Sequence, residues 1–309
     1  MDSLSSRGHI GRFFLTPQGR GTLSQERNTA ILLISCPDRK GIVATVASFL
    51  YQHNANIVHA DQHQDREANW FFMRVEWDLT DFTIPIDRFP EEFEPVAREF
   101  RMDWRLARSS VPLRVAILVS RQDHCLADLL YRHHSGELRC EIPLIISNHT
   151  NAEPLARFYN VPFFHIPVDP NNRQEAERQQ LELLERHRID LIVLARYMQI
   201  LSPAFVQRYP MRIINVHHSF LPAFKGAKPY HRAYERGVKL IGATSHFVTE
   251  ELDEGPIIEQ DVVRISHRDQ LEDLIQKGKD LEKLVLSRAV RWYLEHRILV
   301  YGRKTVIFD

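Results

Sequence analysis

Asn215 and His217 stand two apart in Ile213-Ile214-Asn215-Val216-His217, an apolar run with the character of a strand. Side chains two apart on a strand leave the same face. An amide donor beside an imidazole at a strand's carboxyl end can polarise a bound carbonyl and hold the negative charge that develops when it is attacked. Pro222 forbids regular strand continuation, so the chain must turn there. Leu252-Asp253-Glu254-Gly255-Pro256 is a turn ahead of the apolar Ile257-Ile258, and its Asp253 with His217 would make a general acid–base pair. His246, in a strand pattern after Gly242-Ala243-Thr244, either lines the same site or is structural. Taken singly, each residue has a plainer role: Asn215 can satisfy backbone groups at a strand end, and His217 can be a core histidine. Glu254, Lys225 and Lys228 read as solvated loop charges. His218, His231 and His246 with Asp253 lack the spacing of a metal-binding helix or knuckle, so no metal is expected.

Such side chains need a scaffold that ends several strands at one place. From Pro112 onward, Arg114–Ser120, Ile142–Ser147, Phe163–Ile166, Asp190–Leu194 and Arg212–Val216 read as strands. Between them Asp123–His134, Glu153–Tyr159, Gln174–His187 and Pro203–Tyr209 carry helical patterns, and a strand at Ile257–Arg264 and a long helix at Gln270–Glu295 follow. This alternation predicts a Rossmann-like, mostly parallel α/β sheet with helices on both faces. Such sheets bind ligands beyond their strands' carboxyl ends, here Ser120, Ala195 and Val216.

Residues 28–110 have a different pattern. Ala30–Ser35 and Ile57–Ala60 are strand-like, and Phe71, Met73, Val75 and Trp77 alternate with Phe72, Arg74 and Glu76 as a half-buried strand. Met102, Trp104 and Leu106 alternate as a last strand. Ile42, Val43, Val46, Phe49 and Leu50 recur at helical spacing, as do Ile86, Phe89, Phe93, Val96, Ala97 and Phe100. The order β-α-β-β-α-β predicts a small ferredoxin-like sandwich.

The 309 residues suggest about two domains. Lysine plus arginine and aspartate plus glutamate are both 40, so no net charge favours nucleic acid or an anionic membrane as partner. No apolar run approaches the roughly 20 residues that span a bilayer. The three cysteines, Cys36, Cys125 and Cys140, show no Cys-x-x-Cys spacing and read as thiols of a reducing, cytoplasmic compartment. Residues 1–27 are rich in Ser and Arg and poor in acids, which fits a flexible extension or a transit-like segment.

Two resemblances sharpen this reading. Asp38-Arg39-Lys40-Gly41-Ile42-Val43 and Asn54-Ala55-Asn56-Ile57 make residues 28–110 similar to an ACT domain. That resemblance implies an amino-acid effector near Asp38, Lys40, Gly41, Asn54 and Asn56, and pairing into a homo-oligomer; the plainer reading is a tight strand-to-helix turn. Residues 112–309 resemble the folate-dependent formyltransferase family, through Asn-x-His followed by Ser219-Phe220-Leu221-Pro222, and through Asp253-Glu254-Gly255-Pro256-Ile257-Ile258. The resemblance implies that Asn215, His217 and Asp253 are catalytic. It also implies that Arg196-Tyr197-Met198-Gln199-Ile200-Leu201 form a folate pocket, with Gly226, His246, Leu252 and Gly255 around the substrate.

Family members that formylate a phosphorylated acceptor carry a glycine-rich loop after the first strand. Ser120-Arg121-Gln122-Asp123-His124 has no glycine and would cradle phosphate poorly. Members that act on RNA carry a further basic domain after the catalytic one, whereas here about a helix and a short strand follow. An ACT domain ahead of the catalytic domain resembles the branch in which water takes the acceptor's place. That branch hydrolyses 10-formyltetrahydrofolate to formate and tetrahydrofolate without a further cofactor, and its formate feeds purine synthesis. A transferase to a small unphosphorylated acceptor and a non-catalytic amino-acid sensor stay open at this point.

Overall fold

The computed structural model describes residues 28–222 and 229–309. The expectations for residues 1–27, and for Gly226, Lys225 and Lys228, lie outside the described residues. Among the described residues no helix is long and apolar enough to cross a membrane.

The chain begins with β1 (Thr29–Pro37), α1 (Ile42–Gln52), β2 (Asn56–Asp65), β3 (Trp70–Asp78), α2 (Phe89–Phe100) and β4 (Asp103–Arg108). The four strands form a sheet in the order β2-β3-β1-β4, with antiparallel neighbours. Gly41 allows the strand-to-helix turn: it caps α1 at φ 98°, a conformation that penalises other residues. The apolar stripes of α1 and α2 close one face around Leu32, Ile34, Val46, Trp77, Phe89 and Phe93.

The half-buried reading of β3 is corrected. Phe72 is 0% exposed and Arg74 is 6% exposed, so both faces of β3 are covered. The cover is a hairpin absent from the sequence expectations, Ile298–Tyr301 with Lys304–Ile307, after which Phe308 packs against Leu33 and Phe72, with Tyr301 and Val306 beside them. Fully burying one such apolar side chain is worth about 1.5–3 kcal/mol. On the same side Arg74 donates from Nε to the His296 carbonyl at 3.1 Å and from Nη2 to the Glu295 carbonyl at 3.3 Å. These carbonyls end a long helix, so the guanidinium satisfies groups the helix itself leaves open.

The second part comprises β5 (Leu113–Val119), α3 (His124–His134), β6 (Cys140–Ser147), α4 (Glu153–Phe158), β7 (Phe163–His165), α5 (Arg173–Arg186) and β8 (Leu191–Ala195). It continues with α6 (Pro203–Arg208), β9 (Ile213–His217), α7 (Pro229–Arg236), β10 (Leu240–Phe247), β11 (Ile257–Arg264) and α8 (Leu271–Leu294). The hairpin β12 (Ile298–Tyr301) and β13 (Lys304–Ile307) ends the chain. Seven strands run in the order β11-β10-β9-β8-β5-β6-β7. The five from β9 to β7 are parallel to their neighbours, and β10 is antiparallel to both β9 and β11. Chain order reverses at β5, which places the switch point between the carboxyl ends of β5, β6 and β8. All five residues of β8 are buried, as its unbroken apolar run requires for a central strand.

Candidate active site

Asn215 and His217 leave the same face near the end of β9. The register of β10 sets His246 directly across from Asn215. Asn215 Nδ2 lies 3.2 Å from His246 Nε2, and His246 Nδ1 lies 2.8 Å from the Phe247 carbonyl. A carbonyl only accepts, so Nδ1 carries the proton and Nε2 accepts from the Asn215 amide. Burial pushes the His246 imidazole below its ordinary range and outweighs the Phe247 carbonyl and the Asp253 charge, which act the other way; the ring is neutral. One Asn215 N–H is thereby spent on orientation, and the second has no partner among the described residues and can meet a ligand.

Asp253 reaches this group from the turn after β10. Its backbone is left-handed at φ 57°, and two residues on Gly255 passes so close to β10 that a Cβ there would lie 1.8 Å from the Phe247 carbonyl oxygen. That approach requires glycine and turns the Asp253 carboxylate inward, where its side chain is 12% exposed. Asp253 Oδ2 lies 3.3 Å from His217 Nδ1, and Oδ1 lies 3.7 Å from His246 Nε2. Burial raises the Asp253 carboxyl, but the interaction with His217, led by its hydrogen bond, outweighs it, so the group sits below the ordinary carboxylate range. An ionised Asp253 fixes the proton of His217 on Nδ1. His217 Nε2 is buried with no partner among the described residues. A carboxylate, an oriented imidazole with one bare nitrogen and a pinned amide therefore meet at one place.

The loop after β8 is only partly as expected. Arg196, left-handed at φ 63°, is 8% exposed and turns inward. It donates from Nε and Nη2 to Gln122 Oε1 at 3.0 and 2.7 Å, and its Nε lies 3.4 Å from Glu282 Oε2. Tyr197 is also buried, with its hydroxyl accepting from Gln180 Nε2 at 2.9 Å, and Leu201 packs on the same core cluster. Gln199 is half-buried. Met198 and Ile200 are exposed, as is Leu252 beside Asp253. The Met198 N–H is held by Ser120 Oγ at 3.0 Å, which ties this loop to the end of β5.

Sequence reasoning missed the buried group behind Arg196. Glu282 of α8 is 1% exposed; it accepts from the Tyr230 hydroxyl at 2.6 Å and lies 2.7 Å from His124 Nε2. Burial raises its carboxyl, but His124, Arg196 and Tyr230 outweigh burial and keep it below the usual range. The available signal was a carboxylate among Leu281, Leu284, Val285 and Leu286, where an amphipathic helix keeps its apolar face. His124, Cys125 and Glu282 are the one group of metal-ligating residues gathered among the described residues. Burial pushes the Cys125 thiol far up, and Glu282 is already engaged, so this donor set suits internal pairing rather than a metal.

The residues tied to an effector divide between two places. Asp38, Lys40 and Gly41 precede α1, whereas Asn54 and Asn56 follow it, so the helix separates them within one chain. Asp38 accepts from Gln64 Nε2, and Asn54 Nδ2 donates to the Asp81 carbonyl at 3.0 Å. Glu254, expected in solvent, pairs with Arg303 of the terminal hairpin at 2.5 Å.

Two half-buried histidines give the fold an acid limit. Burial, then Arg105 and Arg74, hold His296 at about 4; burial, then Arg196 and His217, hold His218 at about 3. The unfolded chain binds these protons nearer the ordinary 6.5. Below pH 6.5 the unfolded state therefore holds more protons, and stability falls as pH falls. The expected slope approaches about 1.4 kcal/mol per pH unit for each histidine down to its folded value. Urea midpoints between pH 7.5 and 4.5 test this, and His296→Leu should flatten the curve; an unchanged slope in that variant would refute the assignment.

The chain is similar to known proteins in sequence and in fold. The Formyl transferase family model matches residues 113–290 and the ACT domain model matches residues 30–90. The chain is 54% identical over 280 residues to a formyltetrahydrofolate deformylase of Synechocystis sp., covering 91% of this chain and 98% of that protein. It is 51% identical to the protein of the same name from Bacillus subtilis, covering 90% of this chain and 93% of that protein. A crystal structure of a formyltetrahydrofolate deformylase from Pseudomonas syringae pv. tomato superposes with TM-score 0.90 at 52% identity, covering 93% of this chain and 96% of that one. Glycinamide ribonucleotide transformylase 1 from Symbiobacterium toebii matches at TM-score 0.61 and 33% identity, over 66% of this chain and 98% of that one.

Proposed function

This chain belongs to the formyltetrahydrofolate deformylase family, and we propose that Asn215, His217 and Asp253 carry its hydrolysis of 10-formyltetrahydrofolate to formate and tetrahydrofolate. One observation supports this most: His217 presents Nδ1 to Asp253 at 3.3 Å while its Nε2 is buried and unpartnered. The formyl oxygen sits against the free Asn215 N–H. Water attacks the formyl carbon as His217 Nε2 takes one of its protons, and Asp253 stabilises the resulting imidazolium. The tetrahedral oxyanion is held by Asn215, a donor worth roughly 3–4 kcal/mol in a preorganised site. The carbon–nitrogen bond then breaks, the imidazolium returns its proton to the folate nitrogen, and formate leaves.

In this reading Arg196 acts through Gln122 and Glu282 to set the folate loop, and the backbone and exposed side chains of 198–201 and Leu252 flank the substrate. No metal or second cofactor takes part. Residues 28–110 form the ACT-like regulatory domain, responsive to an amino acid, and 112–309 the catalytic one. The protein works in the cytoplasm as a homo-oligomer and supplies formate to purine synthesis.

The test is formate release from 10-formyltetrahydrofolate by the purified protein with no acceptor added. Steady release supports hydrolysis; turnover that requires an added amine or sugar would replace this reading with a transferase. His246→Ala adds a finer check. Loss of the partner that pins Asn215 should lower kcat by about 10–100-fold, in line with second-layer partners elsewhere. His246→Gln, which keeps an acceptor, should recover part of it. Equal loss in both variants, or none, would remove the orienting role.

A further inference from the structure

The terminal hairpin joins two places that the chemistry proposed above leaves unconnected. Its foot stands on the first sheet. Phe308, 1% exposed, packs against Leu33 and Phe72, and the Tyr301 ring meets that of Phe72 at a centroid distance of 4.5 Å. The Tyr301 hydroxyl donates to Asp65 Oδ2 at 2.8 Å, and Lys304 Nζ lies 3.7 Å from the same oxygen. Asp65 ends β2, so these contacts fix the hairpin to the turn between β2 and β3. The Phe308 N–H donates to the Arg297 carbonyl at 2.9 Å, which closes the hairpin where it leaves α8.

Its tip stands on the turn that carries Asp253. Tyr301 pairs with Lys304, so Gly302 and Arg303 make the hairpin turn, with Gly302 left-handed at φ 55°. From that tip Arg303 Nη2 donates to the Glu254 carbonyl at 3.3 Å and to the Glu254 carboxylate. On β13 the Thr305 hydroxyl donates to the Ile257 carbonyl at 2.6 Å. The segment just after Asp253 is therefore gripped by the hairpin on one side, while Gly255 lies against Phe247 on the other. The left-handed backbone of Asp253 is a conformation that persists outside glycine where the surroundings hold it. Leu252 beside it is 59% exposed, so its packing does not supply that hold. Arg303 is 69% exposed, and an exposed ion pair alone stabilises little. What restrains the turn is the pair of bonds to backbone carbonyls, at 254 and 257, from one element anchored elsewhere. That element also lies past residue 290, where the Formyl transferase match ends.

We propose that the terminal hairpin positions Asp253 for the hydrolysis, with Arg303 and Thr305 as the positioning residues and the first sheet as their footing. Neither residue meets the folate or the reacting atoms. Both act through Asp253, whose Oδ2 must keep its place 3.3 Å from His217 Nδ1 for the imidazolium to be stabilised as it forms. A shift of about 1 Å in a group of this kind can cost roughly 100-fold in rate. The first sheet thus supports the chemical step mechanically, with no ligand bound to it. This inference rests on the catalytic assignment of Asp253 made above.

The test is a cycle on the full-length chain, read as single-turnover formate release from 10-formyltetrahydrofolate, with steady-state KM and thermal midpoints beside it. Arg303→Ala/Thr305→Val should slow the chemical step about 10–100-fold and leave KM within threefold of the parent. Arg303→Ala alone, at an exposed tip where folding tolerates it, should slow the step at least threefold. Arg303→Lys, which keeps a charged donor, should recover part of that loss. Placed on Asp253→Asn, the same pair of substitutions should change the residual rate less than twofold, because the carboxylate they position is gone; groups that act through one another are not additive. An equal fold-loss in both backgrounds would overturn the proposal and make the hairpin a support of the fold alone. So would a parent-like rate in Arg303→Ala/Thr305→Val, or a rise in KM with the chemical step unchanged. In each of these cases the catalytic assignment stands if Asp253→Asn alone is inactive. If Asp253→Asn alone keeps the parent rate, that assignment falls, and the positioning role falls with it.

Discussion

Asp253→Asn is expected to lower kcat roughly 10³–10⁴-fold, the scale seen when a catalytic histidine loses its carboxylate partner, with KM for the folate little changed. The substitution is nearly isosteric, and the left-handed backbone at φ 57° is one asparagine adopts readily. What changes is charge. Asp253 is held ionised mainly because His217 outweighs the cost of burial, and the same pairing stabilises the imidazolium that forms when His217 takes a proton. An amide either way round leaves that imidazolium without a counter-charge. It also lets His217 move its proton to Nε2 and lose its basic nitrogen. Single-turnover formate release reads the chemical step directly, beside a thermal midpoint to show the fold intact. A kcat within tenfold of the parent would mean that Asp253 is structural and that water is activated elsewhere.

Much of the scaffold behind this site was legible in the residues. Strands and helices of the second part alternate, and each is bounded by turn chemistry, so a mostly parallel sheet followed directly. The spacing of Asn215 and His217 places both on one face, and β9 bears this out. Other features were hidden for identifiable reasons. The burial of Phe72 and Arg74 depends on a hairpin more than two hundred residues away, which local alternation cannot register. The pairing of His246 with Asn215 follows from antiparallel register between β9 and β10, a tertiary fact. The inward turn of Arg196 needs Gln122 and Glu282, from an early loop and the last long helix, and nothing in Arg196-Tyr197-Met198 announces either. The reach of Asp253 depends on Gly255, whose missing side chain lets the turn close against Phe247.

The buried group around Glu282 should dominate stability. Glu282→Ala removes the one carboxylate that faces Arg196 and His124 among the described residues, and leaves a buried guanidinium uncompensated. Breaking one side of such a pair costs about 3–5 kcal/mol. Tyr230→Phe deletes only a hydrogen bond to a charged group, and should cost about 1.5–3 kcal/mol. The ring itself stays, seated in a notch that exists because residue 278 is glycine: a Cβ there would lie 2.2 Å from the tyrosine. Replacing both charges, as Glu282→Leu with Arg196→Met, should recover most of the loss, because a buried ion pair often contributes little over an apolar pair. Urea unfolding of the three variants reads these differences directly. If Glu282→Ala were as stable as the parent, Arg196 would have found water or another partner, and the group would not be the closed network described. The stable double variant then separates fold from function. With the loop after β8 no longer drawn inward by Arg196, it should retain its stability yet raise KM for the folate, while kcat at saturation stays near that of the parent.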